Sequence, residues 1–192
     1  MTSSPSNDTS APADGAQPNA EETALVRAAQ NGDHRAFEGL IRLHTSRIYN
    51  YIFQMTRHRQ DAEDLCQQTF LKAYNALERF DPQRPLICWL LTIARRTALN
   101  HFRAAKSFTE IPFDAASSET SPDRETERQD NLETLWDRAR RILSPRDFEV
   151  LWLRISEDMD LDDIAEATQL TTTHVKVIVH RARQQLMKSL KP

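Results

Sequence analysis

Glycine is scarce in this sequence: only three of the 192 residues are glycine, and alternating runs of β-branched residues are few. A sheet is therefore not expected, because strands usually alternate apolar and polar residues and favour β-branched ones. The shortage of glycine also leaves no glycine-rich loop of the kind that binds phosphate groups. Apolar residues recur instead with the spacing of helix faces. The sequence predicts an all-α protein.

Cysteine is also scarce, and both cysteines, Cys66 and Cys88, lie within apolar helical patterns. We interpret them as buried thiols, since no cysteine or histidine has the spacing of metal ligands. Paired carboxylates beside a nucleophile pattern are absent too. The chain is therefore predicted not to be an enzyme, and we expect no catalytic residue, no metal and no cofactor. The scattered His34, His58 and His101 are most simply surface residues.

Long apolar runs are missing as well. The longest, residues 86–94, is interrupted by Thr92, and it is far shorter than the roughly 18 residues that span a bilayer. The acidic N-terminus, rich in Ser, Pro and Ala, has no apolar core, so it does not have the pattern of a signal peptide. These features predict a cytoplasmic protein in a reducing compartment, without membrane insertion.

The clearest motif lies in residues 161–188. A short apolar helical pattern ends at Thr168, and a second helix face follows with Val175, Val179, Ala182 and Leu186. Two helices joined by three or four residues, with the small Ala165 at their crossing, predict a helix-turn-helix. Thr171 can cap the second helix. Gln169 stands where glycine is usual, so it must accept a left-handed or strained backbone conformation.

The net charge of −3 conceals an uneven distribution. Residues 168–192 hold five Lys or Arg and no Asp or Glu, whereas residues 107–131 hold seven acidic and two basic residues. A basic second helix suits duplex DNA, because neutralising phosphates supplies much of DNA affinity. A basic amphipathic helix that merely packs through its apolar stripe has the same pattern. The helix pair alone leaves both interpretations open.

Composition divides the chain into four parts. Residues 1–20 form a predicted disordered tail, because they cannot bury enough surface to order themselves. Residues 21–106 form a first helical domain, residues 107–131 a flexible acidic linker, and residues 132–192 a second helical domain containing the helix-turn-helix. Helix N-caps are predicted at Asp33, Asp61, Ser144 and Thr171. The expected fold is two small helical domains joined by the linker.

Two polar surfaces lie on the first domain. The helix that follows Asp61 has an outward strip of Glu63, Asp64, Gln67 and Gln68, and such a strip is most often just solvated. The next helix carries one face with Trp89, Arg96, Asn100 and Arg103. An aromatic ring beside basic and amide groups is suited to stack on bases and bind phosphates of a single strand. Trp89 as a core residue is an equal alternative.

Three segments in this order and spacing resemble the bacterial RNA polymerase sigma factors of the extracytoplasmic-function (ECF) group. The polymerase-binding segment of that family resembles residues 61–74, DAEDLCQQTFLKAY, and its promoter-melting helix resembles residues 89–103, WLLTIARRTALNHFR. Its second domain resembles residues 143–154 together with residues 160–186. The resemblance covers about residues 22–190. It implies three partners: core RNA polymerase, promoter DNA and an anti-sigma factor.

The resemblance also implies roles by position. Contacts to the polymerase clamp would fall on Asp64, Gln67 and Gln68. The opened minus-ten strand would be held by the loop at residues 81–88 and by Trp89, Arg96, Asn100 and Arg103. The minus-thirty-five major groove would be read by Thr172, Thr173, Lys176, Val177, His180 and Arg181, with Arg183 on a phosphate. These positions of the last helix lie opposite its apolar stripe.

The sequence departs from the family at three places. The family usually has Asn at the position of Arg96, Ser-Arg at Val177 and Ile178, and glycine at the turn that holds Gln169. Val177 can touch a thymine methyl group but cannot donate a hydrogen bond, so the sequence does not define which promoter is read.

Two alternatives remain open at this stage. A stand-alone helix-turn-helix regulator would leave the strip in residues 61–74 and the Trp89 face without a role, and co-purification with core polymerase distinguishes it. The acidic linker is either a plain tether or an acidic strand with a role of its own. In the second case it would enter a basic RNA channel in the polymerase or partly mask basic side chains of the free protein.

Overall fold

The computed structural model describes residues 20–108 and 127–190, with side chains for residues 20–104 and 135–190. Within these ranges all regular structure is helical, which confirms the all-α prediction. The helices are α1 (Ala20–Gln30), α2 (His34–Thr56), α3 (Arg59–Ala76), a 3-10 turn (Leu77–Arg79), α4 (Leu86–Phe108), α5 (Glu127–Ile142), α6 (Pro145–Ile155), α7 (Leu161–Thr168) and α8 (Thr172–Leu190). Residues 1–19 of the predicted tail and residues 109–126 of the predicted linker lie outside the described residues.

Helices α1–α4 form the first unit, in which α2, α3 and α4 pack against one another and α1 lies on α2. Gly32 has a φ of 92° and closes the turn between α1 and α2, a conformation that favours glycine. Asp33 then begins α2 as predicted, because its carboxylate accepts backbone hydrogen bonds from Arg35 and Ala36 at 2.9 and 3.3 Å. Apolar residues that recur with helix-face spacing in α2, α3 and α4 are mostly buried between these helices.

The prediction for the start of α3 is wrong. The sequence favours Asp61 as the N-cap, but α3 begins at Arg59 and its N-cap is His58. The His58 ring nitrogen Nδ1 accepts a hydrogen bond from the Asp61 backbone N–H at 3.3 Å. Asp61 therefore lies in the first turn, where a carboxylate suits the positive end of the helix dipole. Histidine is not among the common capping residues, so composition pointed to the aspartate.

Helices α5–α8 form the second unit. Ser144 caps α6 as predicted, accepting a hydrogen bond from the Asp147 backbone N–H at 3.1 Å, and proline occupies the first turn. The rings of Trp136, Phe148 and Trp152 join α5 to α6, with centroids between 4.7 and 6.1 Å apart. This aromatic cluster packs α5 against α6, and α5 also contacts α8.

The turn between α7 and α8 confirms two predictions. Gln169 has φ 58° and ψ 40°, the left-handed conformation expected at the missing glycine. The Leu170 backbone N–H then donates to the Ala165 carbonyl at 2.9 Å, which satisfies an end group of α7. Thr171 Oγ1 accepts a hydrogen bond from the His174 backbone N–H at 3.3 Å and caps α8.

The two units pack against each other, with α7 lying on α4. Glu149 of α6 accepts hydrogen bonds from the Tyr51 hydroxyl at 2.7 Å and from Arg95 Nε at 2.8 Å. Arg47 of α2 donates to the carboxylate and the backbone carbonyl of Glu157, at 2.8 and 2.9 Å. Buried residues from both units form one continuous apolar cluster. The units therefore share a core as well as a surface.

Candidate nucleic-acid and polymerase interfaces

The outer face of α8 carries most of the residues that the family resemblance assigns to the DNA major groove. Val175, Ile178 and Val179 turn inward and are buried, which fixes the rotation of the helix. The exposed side chains on the other side are Thr173, Lys176, Val177, His180, Arg181 and Arg183. Thr172 is half-buried, and 54% of Val177 is exposed. Ile178 also departs from the family pattern. Because its side chain is buried, this departure affects the packing of α8 and not the surface that faces DNA.

Two residues of this face are held by carboxylates of their own unit. Arg181 Nη2 donates to both carboxylate oxygens of Asp147, at 2.8 and 2.7 Å, and the Asp147 side chain is buried. Thr172 Oγ1 donates to Asp162 at 2.6 Å. A side chain already fixed in direction loses less conformational entropy when it binds. Asp147 therefore orients Arg181, a contact that the helix-start pattern around Ser144 did not predict.

The α4 face combines exposed polar groups with a partly buried ring. Arg96, Asn100 and Arg103 are exposed, and Arg103 Nη1 donates to Asn100 Oδ1 at 3.3 Å. Trp89 is half-buried, and its ring centroid lies 4.8 Å from that of Phe80. Part of the indole therefore packs against the core, and the rest is accessible at the end of the face.

The segment predicted as a loop at residues 81–88 carries one cation that is already paired. Its residues 81–85 form a tight turn, in which the Gln83 backbone N–H donates to Asp81 Oδ1 at 2.9 Å, and its residues 86–88 begin α4. Arg84 donates to both carboxylate oxygens of Glu166, at 3.3 and 2.6 Å, and its Nη2 lies 3.5 Å from Asp163 Oδ1. The hydrogen bond from Arg84 lowers the pKa of Glu166, and the same bond raises the pKa of Arg84.

The outer strip of α3 lies beside an apolar groove. Asp64, Gln67 and Gln68 are exposed. Next to them is a groove of about 530 Å³ between α2 and α3, lined mainly by Phe37, Ile41, Tyr49, Phe70, Leu71 and Tyr74. Leu71 is 63% exposed and Tyr74 is 40% exposed. Sequence reasoning missed both, although they follow Gln67 by four and seven residues on the same helix face.

Other groups considered from the sequence lie in the interior. His44 is buried, with Nε2 3.5 Å from Glu22 Oε1. Burial raises the pKa of Cys66 to about 11 and also raises that of Cys88.

Across the described part of the chain, His, Cys, Asp and Glu form no group of three or more that could hold a metal ion. Nor does that part contain a helix with the length and apolar character needed to cross a membrane.

Comparison with protein families matches "Sigma-70 region 2" over residues 40–108 and "Sigma-70, region 4" over residues 136–186. The RNA polymerase sigma factor YlaC of Bacillus subtilis is 34% identical over 165 residues, which cover 82% of this chain and 94% of YlaC. The ECF RNA polymerase sigma factor BldN of Streptomyces coelicolor is 30% identical over 171 residues, which cover 86% of this chain and 64% of BldN.

A solved structure has the same overall fold. It is the sigma factor RpoE of Bartonella quintana in complex with the anti-sigma factor NepR, with a TM-score of 0.64 and 21% sequence identity. The similarity covers 79% of this chain and 94% of the RpoE chain.

The two matched regions, in this order, define the class as RNA polymerase sigma factors. The relatives place the chain in the ECF group of that family, as the sequence resemblance predicted. The chain acts as a sigma factor, which binds core RNA polymerase and directs promoter-specific transcription initiation. This gives the first unit a role that the stand-alone regulator hypothesis could not supply.

Proposed function

We propose that this sigma factor uses three separate surfaces, one for the polymerase and one for each promoter element. The observation that carries the proposal is that the exposed polar residues of α3, α4 and α8 form three sets on three different helices. The region-2 match, residues 40–108, contains the first two sets, and the region-4 match, residues 136–186, contains the third. The predicted domain limits, 21–106 and 132–192, enclose the same sets.

The minus-thirty-five element is read by α8. Its exposed residues supply a hydroxyl from Thr173, cations from Lys176 and Arg181, and a methyl contact from Val177. Lys and Arg side chains suit guanine O6 and N7, and an apolar group suits the thymine methyl. Thr172 and His180 also face the groove, and Arg183 contacts a phosphate. Support comes from the buried stripe, which leaves this face pointing outward.

The minus-ten element is held as a single strand by the first unit. Arg96 and Arg103 bind phosphates, Asn100 hydrogen-bonds a base or sugar, and the accessible part of Trp89 stacks on a base. Arg84 in the loop at residues 81–88 adds a third cation. Two observations support this assignment. Arg96, Asn100 and Arg103 are exposed on α4, and the half-buried Trp89 ring packs against the ring of Phe80.

The polymerase clamp binds along α3. Asp64, Gln67 and Gln68 provide polar contacts, and the adjacent groove provides an apolar one through Leu71 and Tyr74. A polar rim around a small apolar centre is the usual anatomy of a protein–protein interface. The exposure of Leu71 therefore supports the assignment, because a solvated strip alone would not need it.

The remaining assignments concern partners and place. Like RpoE of Bartonella quintana, whose structure contains the anti-sigma factor NepR, the chain is controlled by an anti-sigma factor. It works in the bacterial cytoplasm and contributes no covalent chemistry and no cofactor, since the polymerase catalyses RNA synthesis.

Run-off transcription with core RNA polymerase, followed by mapping of the start sites, tests these assignments. We expect Lys176→Ala to reduce duplex promoter binding, Arg96→Ala with Arg103→Ala to reduce strand opening, and Asp64→Ala with Gln67→Ala to reduce binding to core polymerase. Lys188→Ala is the matched control, because Lys188 is exposed on α8 about three turns beyond Lys176. Equal defects in all three assays for every variant would contradict the division into three surfaces.

A further inference from the structure

Gln30, the last residue of α1, is hydrogen-bonded to the segment that leads into the proposed minus-ten surface. Its Nε2 donates to the Leu77 carbonyl at 2.9 Å and to the Phe80 carbonyl at 2.8 Å. Both partners are carbonyls that can only accept, so the amide turns its NH2 group towards them and uses both of its N–H donors. The region-2 match begins at residue 40 and therefore does not include Gln30.

The two carbonyls lie where the chain changes direction. The 3-10 turn at Leu77–Arg79 ends α3, and a tight turn at residues 81–85 follows. Carbonyl groups at the end of a helix have no partner within it, and an unpaired carbonyl in a buried position destabilises the fold. Leu77 and Phe80 are both buried, at 3% and 6% exposure. Gln30 supplies donors to both carbonyls from α1, a separate element.

Phe80 connects this contact to the proposed minus-ten surface. Its backbone is extended, with φ −78° and ψ 135°, where the chain leaves the 3-10 turn. Its ring centroid lies 4.8 Å from that of Trp89, with the ring planes inclined by 36°. Aromatic rings in contact adopt specific geometries, so a shift of Phe80 changes where the indole of Trp89 rests. A change at Gln30 is therefore able to reach Trp89 without a direct contact.

Helix α1 gives Gln30 a fixed position. The helix packs on α2 and contacts the 3-10 turn, and Val26 on its inner face is buried. At the other end of α1, Glu22 Oε1 lies 3.5 Å from His44 Nε2 of α2. Because α1 is held on α2 in this way, Gln30 fastens the Phe80 backbone to a rigid support.

We propose that Gln30 is a positioning residue for the minus-ten surface. By holding the carbonyls of Leu77 and Phe80, it sets where the turn at residues 81–85 begins and how the Phe80 ring supports Trp89. The proposal rests on the proposed minus-ten role of Trp89. A side chain that is already oriented loses less conformational entropy when it binds, so Gln30 favours stacking of the promoter strand on the accessible part of the indole.

Two substitutions separate the hydrogen bonds of Gln30 from its packing. Gln30→Met keeps the length of the side chain but has no N–H donor, whereas Gln30→Ala removes the donors and most of the volume. Glu22→Ala is the matched control, because it removes the contact with His44 at the other end of α1 and leaves Gln30 in place. Thermal unfolding of each full-length variant, followed by circular dichroism, sets a temperature at which all of them are folded.

Fluorine NMR of the full chain labelled with fluorotryptophan reports the environment of Trp89. The chain has three tryptophans, and Trp136 and Trp152 pack together in the second unit, with ring centroids 4.7 Å apart. Their resonances act as internal references, and Trp89→Phe identifies the third. We expect Gln30→Met and Gln30→Ala to shift or broaden the Trp89 resonance alone. Glu22→Ala should leave all three resonances in place.

Open-complex formation by the holoenzyme tests the functional consequence. Permanganate reactivity of the melted strand should fall about three- to tenfold with Gln30→Met and with Gln30→Ala, the size expected when one or two hydrogen bonds that orient a binding group are lost. Binding to core polymerase should stay within about twofold of the wild type, because neither variant alters the exposed strip of α3. Glu22→Ala should open the promoter like the wild type.

Three results would overturn the proposal. In the first, neither Gln30 variant moves the Trp89 resonance, or neither reduces opening. In the second, Gln30→Met behaves like the wild type and only Gln30→Ala is defective, which makes the contact one of packing. In the third, Glu22→Ala has the same defects, so that docking of α1 in general, and not Gln30, controls the surface.

Phe80→Leu tests the route from Gln30 to Trp89. If Gln30 acts through Phe80, Gln30→Met should add less than about twofold to the opening defect of Phe80→Leu, because residues that act through one another are not additive. A full additional defect would show that Gln30 does not act through Phe80, and the proposal would be wrong.

The proposed minus-ten role fails separately. If the holoenzyme with Trp89→Ala opens the promoter as well as the wild type does, Trp89 does not hold the strand, and the positioning proposal falls with it. If Trp89→Ala reduces opening while Gln30→Met does not, the minus-ten role stands and only the positioning proposal is refuted.

Discussion

The two proposed promoter surfaces of this sigma factor are built differently. The α8 surface is complete within the second unit, because its apolar stripe sets the rotation of the helix and Asp147 orients Arg181. In the minus-ten surface, by contrast, Arg84 is held by Glu166 of the other unit. One surface needs only the fold of its own unit, and the other depends on how the two units are arranged.

Because of this difference, different residues are expected to control DNA binding at the two surfaces. If α8 reads the minus-thirty-five element as proposed, its affinity for duplex DNA depends on local side chains, and we expect it to respond to substitution on that helix. Arg84 of the proposed minus-ten surface contacts α7, and the ion pairs of Glu149 and Glu157 with the first unit join the same two units. We therefore expect substitutions at these ion pairs to change promoter opening without touching a proposed DNA contact.

The largest effect is expected from Glu149→Ala, which breaks the arrangement of the units. Tyr51 and Arg95 both lose their acceptor in a largely buried site. We expect a loss of about 2–4 kcal/mol in the free energy of unfolding, measured with urea. Duplex binding by α8 should persist in the folded fraction. Glu149→Gln is the control, since it keeps an acceptor, and a loss below about 0.5 kcal/mol for Glu149→Ala would refute the importance of this contact.

Lys176→Ala and Arg181→Ala test whether the proposed DNA surface of α8 depends only on side chains of the second unit. Either should weaken duplex binding by about 1–3 kcal/mol if the residue reads a base. A phosphate role would instead reduce the salt dependence for all sequences alike. Arg181→Ala should also lower the thermal midpoint, because it leaves the buried Asp147 carboxylate without its partner. If neither substitution changes promoter-directed transcription, α8 does not read the minus-thirty-five element.

The α3 strip, proposed to bind the polymerase, differs from both promoter surfaces because it should affect binding to core polymerase. Asp64→Ala with Gln67→Ala should weaken competition for core polymerase by about 1–2 kcal/mol. Both side chains are exposed, so thermal unfolding should shift little. Leu71→Ser, in the groove, should have an effect of similar size. If none of these variants changes competition for core polymerase, the α3 strip is only a solvated surface.

The smallest effect concerns the Tyr51 hydroxyl. Burial, together with Glu149, raises the pKa of Tyr51 above its ordinary value. A raised pKa contributes stability that is complete below the ordinary tyrosine value of about 10 and is lost as pH rises above it. Tyr51→Phe should cost about 1 kcal/mol near neutral pH. Urea unfolding from pH 7 to 11 should show this difference shrinking above about pH 10, and a constant difference would contradict the assignment.

Local features of the fold were predictable because they depend on neighbouring residues. The caps at Asp33, Ser144 and Thr171 and the left-handed Gln169 each follow from a few adjacent positions. The α3 start was misplaced because the ring nitrogen of His58 does what an aspartate usually does.

The contact between the units could not be predicted in the same way. Arg47 and Glu157 are 110 residues apart in sequence, and Tyr51 and Glu149 are 98 apart. Charge counts do not reveal such pairs, because each residue has many possible partners. If the acidic linker masked basic side chains, Arg95 and Arg181 would be among the candidates, but they are paired with Glu149 and Asp147. The prediction for the linker itself concerns mainly residues outside the described ranges.

The long sequence separation of these pairs has a consequence for how the chain folds. Helices within each unit make mostly local contacts, which form quickly, whereas contacts such as Arg47–Glu157 must first close a long loop. We therefore expect refolding in two kinetic phases, a fast one that forms the helices of each unit and a slower one in which the units dock. During synthesis the first unit can fold while the second is still emerging from the ribosome. The newly made chain would then present Arg84 without its Glu166 partner until docking is complete.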